Sequence, residues 1–262
     1  MTRAAGIDRP DVIASGAGRP LVLAHGAGGA VDLNFGDVIA ALSARRRLVG
    51  VNYPGSGSTP RQSRPLELEA LADGLVAAAV ADGHDRFPIL GLSLGCAVAV
   101  TAAQRHPDRV SGLFLTVGFA RADAQIRLVV DVWRHLAATD PTTLARLLVA
   151  LSSPHVLSTL DPAATERAVV DTAASLPDGG PDQALLAATL DITTDAAAVS
   201  VPTTVVVAGQ DRIVLPTTTR ALARTIPGAR VLEYPDAGHI FTPSEASTWI
   251  DDIGDFLDTH GL

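Results

Sequence analysis

Residues 86–96 read Arg86-Phe87-Pro88-Ile89-Leu90-Gly91-Leu92-Ser93-Leu94-Gly95-Cys96. The run from Arg86 to Leu90 has the apolar density of a short buried strand. The run from Cys96 to His106 is Ala/Val-rich and reads as a helix. A strand passing straight into a helix forces Ser93 into a sharp, strained turn. The glycines two before and two after it leave room for crossing backbone, where a Cβ would clash. Such a turn lifts the hydroxyl clear of the sheet, over a helix N-terminus whose unpaired N–H groups face any developing negative charge. Ser93 is therefore a candidate nucleophile. The bland alternative is a Gly/Ser turn between strand and helix, and the rest of the chain decides between them.

Working outward, Leu21–Ala24 is a short apolar strand closed by His25-Gly26, and Leu48–Tyr53 is another. Helical spacing runs over Asp37–Arg45 and over Leu66–Asp82, the latter ended by Gly83. After the helix at 94–106, which Pro107 stops, strands are expected at 110–117, 203–208 and 229–234. Helices are expected near 217–226 and 244–258. Strands alternating with helices imply an α/β fold: a mostly parallel central sheet with helices on both faces. Residues 119–198 break the alternation. They carry helix-start signals at Asp140-Pro141 and Asp161-Pro162 and no convincing strand. The expected organisation is a core of residues 1–118 and 199–262 with a helical cap insertion over 119–198.

An activated serine needs a base within reach, and the base needs an orienting carboxylate. His239, in Asp236-Ala237-Gly238-His239, follows the strand expected at 229–234, and the carboxyl ends of parallel strands are where such sheets hold their sites. Asp211, in Gly209-Gln210-Asp211-Arg212, follows the strand at 203–208. Asp236 competes for the same role but stands only three residues from His239. No acid immediately follows the strand ending at Val117, which favours Asp211. An oxyanion hole needs preorganised N–H donors. Leu94, directly after the nucleophile, supplies one, and Ala27, in the glycine-rich loop His25-Gly26-Ala27-Gly28-Gly29, supplies the other. That loop lacks Gly-x-Gly-x-x-Gly spacing and a Walker lysine, which argues against a nucleotide. His25, at a strand end, reads as a structural, hydrogen-bonded residue.

The order Ser93, Asp211, His239 is that of the α/β-hydrolase arrangement. With the His25-Gly26 loop, the Pro54-Gly55-Ser56-Gly57-Ser58 loop, the Gly91–Gly95 turn and Gly238-His239, the chain resembles the α/β-hydrolase superfamily, in its cap-bearing branch, over nearly its whole length. The Gly-Leu-Ser-Leu-Gly form is similar to that of enol-lactonases and small carboxylesterases. Two positions depart from the pattern: Asn52 stands where relatives often carry Asp, and Cys96 where a glycine often follows the turn. Cys96 reads as a buried small thiol. The resemblance implies a serine hydrolase cleaving a small to medium apolar ester or lactone. It leaves open thioesterase, acyltransferase and C–C hydrolase chemistry, and a cyclase or ligand-binding role. Serine at this position excludes the relatives that need aspartate there, the haloalkane dehalogenases and epoxide hydrolases. For the substrate pocket, Gly26, Phe119, Trp133 and Ile240 are the candidate contacts. Leu136, Leu147 and Leu148 are further apolar candidates, and Arg121 and Arg134 are possible carboxylate partners.

A net charge of −8, from 20 basic and 28 acidic residues, argues against nucleic acid and anionic membranes as partners. The Arg45-Arg46-Arg47 triplet reads as the solvated end of a helix. No apolar run is long enough to span a bilayer, and Met1–Asp8 lacks a stretch of signal-peptide length. Cys96 is the sole cysteine, which rules out an internal disulfide and fits a reducing cytoplasm. No Cys/His cluster has metal-ligand spacing. The expectation is a cytoplasmic protein with a small-molecule substrate, no metal and no cofactor.

Overall fold

The computed structural model describes residues 7–262; the expectation for Met1–Gly6 lies outside them. Seven strands form one sheet: β1 (Val12–Gly16), β2 (Arg19–Ala24), β3 (Arg46–Val51), β4 (Phe87–Leu92), β5 (Val110–Thr116), β6 (Thr203–Ala208) and β7 (Arg230–Tyr234). Their spatial order is β1-β3-β2-β4-β5-β6-β7. Every neighbouring pair is parallel except β1 with β3. The inner parallel strands carry apolar runs such as Leu21–Ala24 and Val205–Ala208 because both faces are covered, whereas the edge strand β7 is half-exposed. Leu21 and Leu23 of β2 point into one core, against α1 (Val31–Leu42) and α11 (Pro243–Thr259). Val22 and Ala24 point into the other, against α2 (Leu68–Ala81) and α3 (Leu94–Arg105). The alternation of a strand thus feeds two layers at once.

Three local features differ from the sequence reading. The antiparallel edge strand β1 was not expected; it is half-exposed and ends in Ser15-Gly16, so it carries little apolar signal. Helix α1 starts at Val31 rather than Asp37. Its N-cap residue, Ala30, offers no side-chain cap. The Val31 N–H is instead satisfied by Asn52 Oδ1 at 2.7 Å, a cap supplied from beyond the end of β3. The arginine triplet does not end a helix in solvent. Arg46 and Arg47 lie in β3, Arg46 is buried and donates to the Leu262 carbonyl at 2.6 Å, and Arg47 makes a two-pronged pair with Asp82 at 2.7 and 2.6 Å.

Between β5 and β6 run six helices: α4 (Ala124–Thr139), α5 (Pro141–Ser152), α6 (Pro154–Leu157), α7 (Pro162–Ser175), α8 (Gly180–Thr189) and α9 (Thr193–Ala197). The only β pairing there among the described residues is a single bridge, Arg121 to Asp191. Asp140 and Asp161 cap α5 and α7, accepting the N–H groups of Thr143 and Ala164 at 3.0 and 2.7 Å, with proline at the first helical position. Helix α9 packs against α3 and against α10 (Pro216–Thr225), so the last of the six lies on the sheet layer. Among the described residues no helix is long and apolar enough to cross a membrane.

Candidate active site

Ser93 joins β4 to α3 with φ +53° and ψ −117°, a left-handed backbone that costs a non-glycine residue energy and is held by its surroundings. Its N–H donates to the Thr116 carbonyl at 2.9 Å, and its own carbonyl accepts from Cys96 N–H at 3.0 Å. A Cβ on Gly95 would stand 1.8 Å from the Ala24 carbonyl oxygen, and one on Gly91 2.7 Å from that of Gly95. Both glycines are therefore required by close backbone approach. The Cys96 thiol lies buried beneath the turn, 3.2 Å from the Gly91 carbonyl and 3.3 Å from that of Thr116. Burial pushes its ionisation well above the usual thiol range, so it packs and does not react.

The loops after β6 and β7 are tied together. Gly209 N–H donates to Tyr234 O and Gln210 N–H to Ala237 O, both at 2.8 Å. This tie brings His239 Nδ1 to 2.7 Å from Asp211 Oδ2. The other carboxylate oxygen, Oδ1, accepts the N–H groups of Ile213 and Val214 at 2.8 and 2.9 Å. Asp211 is only 3% exposed, and its three accepted hydrogen bonds compensate for burial of the charge. With Nδ1 facing a carboxylate, the imidazole proton sits on Nδ1 and leaves the Nε2 lone pair available as a base. Asp236 is exposed to solvent. The His239 loop also rests on the helical segment: Ile240 N–H donates to the Ser152 carbonyl at 3.2 Å.

The loop after β2 is held from below by His25, which is wholly buried and stacked on Tyr53 with ring centroids 3.8 Å apart. His25 Nε2 accepts the Tyr53 N–H at 3.0 Å, so the ring donates from Nδ1 to the Gly26 carbonyl at 2.8 Å. Burial lowers its pKa to about 4. Because a trans peptide sets C=O and N–H in opposite directions, anchoring the Gly26 carbonyl aims the Ala27 N–H the other way. Leu94 is the first residue of α3.

Ser93, His239 and Ala27 line a common cavity of about 410 Å³. Its walls come mainly from α4 to α7, including Ile126, Val130, Leu148, Val156 and Thr172. No Lys, Arg, Asp or Glu side chain stands among the described residues that line it. Of the residues expected to touch substrate, Phe119, Trp133, Ile240 and Leu148 reach the cavity. Gly26 does not line it: it is buried behind Ser93, with its N–H donated to Asn34 Oδ1 at 2.8 Å. Leu94 is buried outside the lining, as its side chain points into the core. Leu136, Leu147, Arg121 and Arg134 also lie outside the lining; Arg121 pairs its backbone with Asp191 instead. Leu33, Asn34 and the α6–α7 residues Val156, Leu157 and Ala168 do line it and were not anticipated. Asn34 sits three residues into α1, which begins earlier than its apolar spacing indicates.

A parallel sheet with a strained serine between its fourth strand and the following helix defines an α/β hydrolase. Residues 19–245 match the family model described as alpha/beta hydrolase fold. The chain belongs to the alpha/beta hydrolase fold family and is an enzyme of that family. It is 30% identical over 222 residues to a pyrrolizixenacetamide deacetylase of Xenorhabdus hominickii, covering 83% of this chain and 84% of the relative. A thermophilic esterase from Thermogutta terrifontis superposes with a TM-score of 0.82 at 26% identity, covering 97% of this chain and 94% of that one. The enol-lactonase from Burkholderia xenovorans LB400 shares the fold, with a TM-score of 0.81 at 22% identity over 95% and 96% of the two chains.

Proposed function

We propose that this hydrolase cleaves a small to medium, uncharged apolar ester or lactone through an acyl-enzyme on Ser93. The observation that carries the reading is that His239, held by Asp211 at 2.7 Å, lines with Ser93 a cavity whose described lining residues include no Lys, Arg, Asp or Glu. His239 Nε2 takes the Ser93 hydroxyl proton as Oγ attacks the carbonyl carbon. The Ala27 and Leu94 N–H groups stabilise the oxyanion. Collapse expels the alcohol oxygen, which leaves with the proton from His239, and Ser93 is acylated. Water then attacks the acyl carbon, giving its proton to His239. Release of the acid returns that proton to Ser93. The net reaction is ester plus water to acid plus alcohol.

The helices over 119–198 act in this reading as a cap that selects substrate, and the site of action is the cytoplasm, with a small molecule as partner. Amide deacetylation is the second reading, favoured by the deacetylase that aligns over most of the chain. The test is a product-resolved screen of aryl and alkyl esters, lactones, acyl thioesters and N-acetyl amides, run beside Ser93→Ala. Turnover of esters or lactones that the variant loses, with its melting temperature unchanged, supports the proposal. Wild-type turnover by Ser93→Ala overturns it.

A further inference from the structure

Helix α8 sends one polar side chain into the base of the site. Gln183 is fully buried, and its amide reaches two loops, one at Gly28 and one at Pro54 and Ser56. Its Oε1 accepts the Gly28 N–H at 2.9 Å. Its Nε2 donates to Ser56 Oγ at 2.8 Å and to the Pro54 carbonyl at 3.2 Å. The Ser56 hydroxyl in turn donates to the Gly29 carbonyl at 2.6 Å. Beside it, Gly179 N–H donates to the Gly55 carbonyl at 3.1 Å. A buried amide is a desolvation cost that an apolar side chain of the same length avoids. Placed here, it links the helical segment to the glycine-rich loop with both amide atoms engaged.

The backbone geometry indicates what this link controls. Ala27 lies between two rigid peptide planes. The plane before it is fixed through its carbonyl oxygen, on Gly26, by His25 Nδ1 and by Gly29 N–H. The plane after it is fixed through its nitrogen, on Gly28, by Gln183. With one atom of each plane held, rotation about the φ and ψ bonds of Ala27 is restrained from both sides. We infer that Gln183 is a positioning residue of this enzyme: it holds the loop so that the Ala27 N–H faces the carbonyl oxygen of the reacting substrate. This rests on the proposed roles of Ser93 and Ala27. It makes the helical segment part of the catalytic geometry as well as a wall of the pocket.

The test compares two ligands that share an apolar chain. A trifluoromethyl ketone adds Ser93 Oγ reversibly and places an oxyanion in the hole, whereas the matching trifluoromethyl carbinol fills the pocket without reacting. In Gln183→Met, which keeps side-chain length but loses the amide, ketone affinity and kcat/KM are expected to fall together by about tenfold to a hundredfold, the size of effect that follows from a misplaced oxyanion donor. Carbinol affinity should stay within about twofold. A merely structural role lowers the affinity for both ligands alike, and that result, or unchanged ketone affinity, overturns the proposal. Should Gln183→Met fail to fold, Ser56→Ala removes the hydroxyl that anchors the amide: a selective loss of ketone affinity supports the proposal and no selective loss overturns it. Ser93→Ala separates the two levels of inference. If it binds the ketone as tightly as wild type, the nucleophile reading fails, and the role of Gln183 falls with it.

Discussion

His239 Nδ1 stands 2.7 Å from Asp211 Oδ2, while Asp211 Oδ1 accepts the Ile213 and Val214 N–H groups at 2.8 and 2.9 Å. One carboxylate thus faces the imidazole with one oxygen and its own loop with the other. Asp211→Asn separates the two duties. An amide oxygen still accepts both backbone N–H groups, so the loop stays closed. The amide nitrogen facing His239 donates, which moves the imidazole proton to Nε2 and removes the base. We expect kcat to fall by roughly a thousandfold or more with KM and melting temperature little changed. Steady-state kinetics beside thermal unfolding check this, and retained kcat would remove Asp211 from the reaction.

The candidates Ser93 and Asp211 stand out in the chain because each follows a buried, largely apolar strand, β4 and β6, whereas β7 before His239 is mixed, Arg230-Val231-Leu232-Glu233-Tyr234. The pocket is less readable for a physical reason. In α4 to α7 the apolar stripe that faces Ser93 and the stripe that packs helix on helix have the same 3.6-residue period. Leu148 lines the cavity while its neighbour Leu147 does not. The start of α1 was hidden because its cap, Asn52, comes from another element. Gln183 was hidden because a single amide in an Ala/Leu helix has no local signature, and its partners lie 127 to 155 residues away in sequence.

The departure at Asn52 has a structural cause. Its Nδ2 donates to Asp11 Oδ2 at 2.8 Å while its Oδ1 accepts the Val31 N–H at 2.7 Å. Asn52→Asp keeps the acceptor but sets a second carboxylate against Asp11. We expect a loss of about 1–3 kcal/mol in unfolding free energy, from one lost donor and the repulsion. Pairing it with Asp11→Asn restores a donor to that contact and should recover about half of the loss. A double-mutant cycle by urea unfolding measures the coupling, and an additive double variant would refute it.

His25 makes stability depend on pH in one direction. Its folded pKa of about 4 lies below the ordinary value of 6.5 because burial disfavours the charged ring. Above that ordinary value both folded and unfolded chains hold neutral imidazole, so the contribution is complete. As pH falls from 6.5 toward 4 the unfolded chain binds a proton that the folded chain refuses, and stability drops by up to about 3 kcal/mol. His25→Phe, which keeps a ring against Tyr53, should lower stability at pH 8 and flatten this part of the profile. Chemical unfolding at pH 4.5, 5.5, 6.5 and 8 measures the slope; an unchanged slope in the variant would assign it to other groups.

The cavity makes a prediction about charge. No cationic side chain among the described lining residues meets a substrate carboxylate, and moving an unpaired carboxylate from water into an apolar cavity costs several kcal/mol. An aryl hexanoate and the aryl monoester of adipic acid have acyl chains of equal length, and the second carries a free carboxylate at the far end. We expect kcat/KM for the monoester to be lower by about a hundredfold or more, mostly through KM, because the penalty falls on binding and not on the reacting carbonyl. Thr172, on α7, lines the cavity at some remove from the Ser93 turn in the chain and offers only a hydroxyl. Thr172→Arg supplies a cation there, so the gap between the two substrates should narrow by at least about tenfold, one ion pair's worth of discrimination. Equal turnover of both esters by the wild-type enzyme would show that the acyl chain does not enter this cavity.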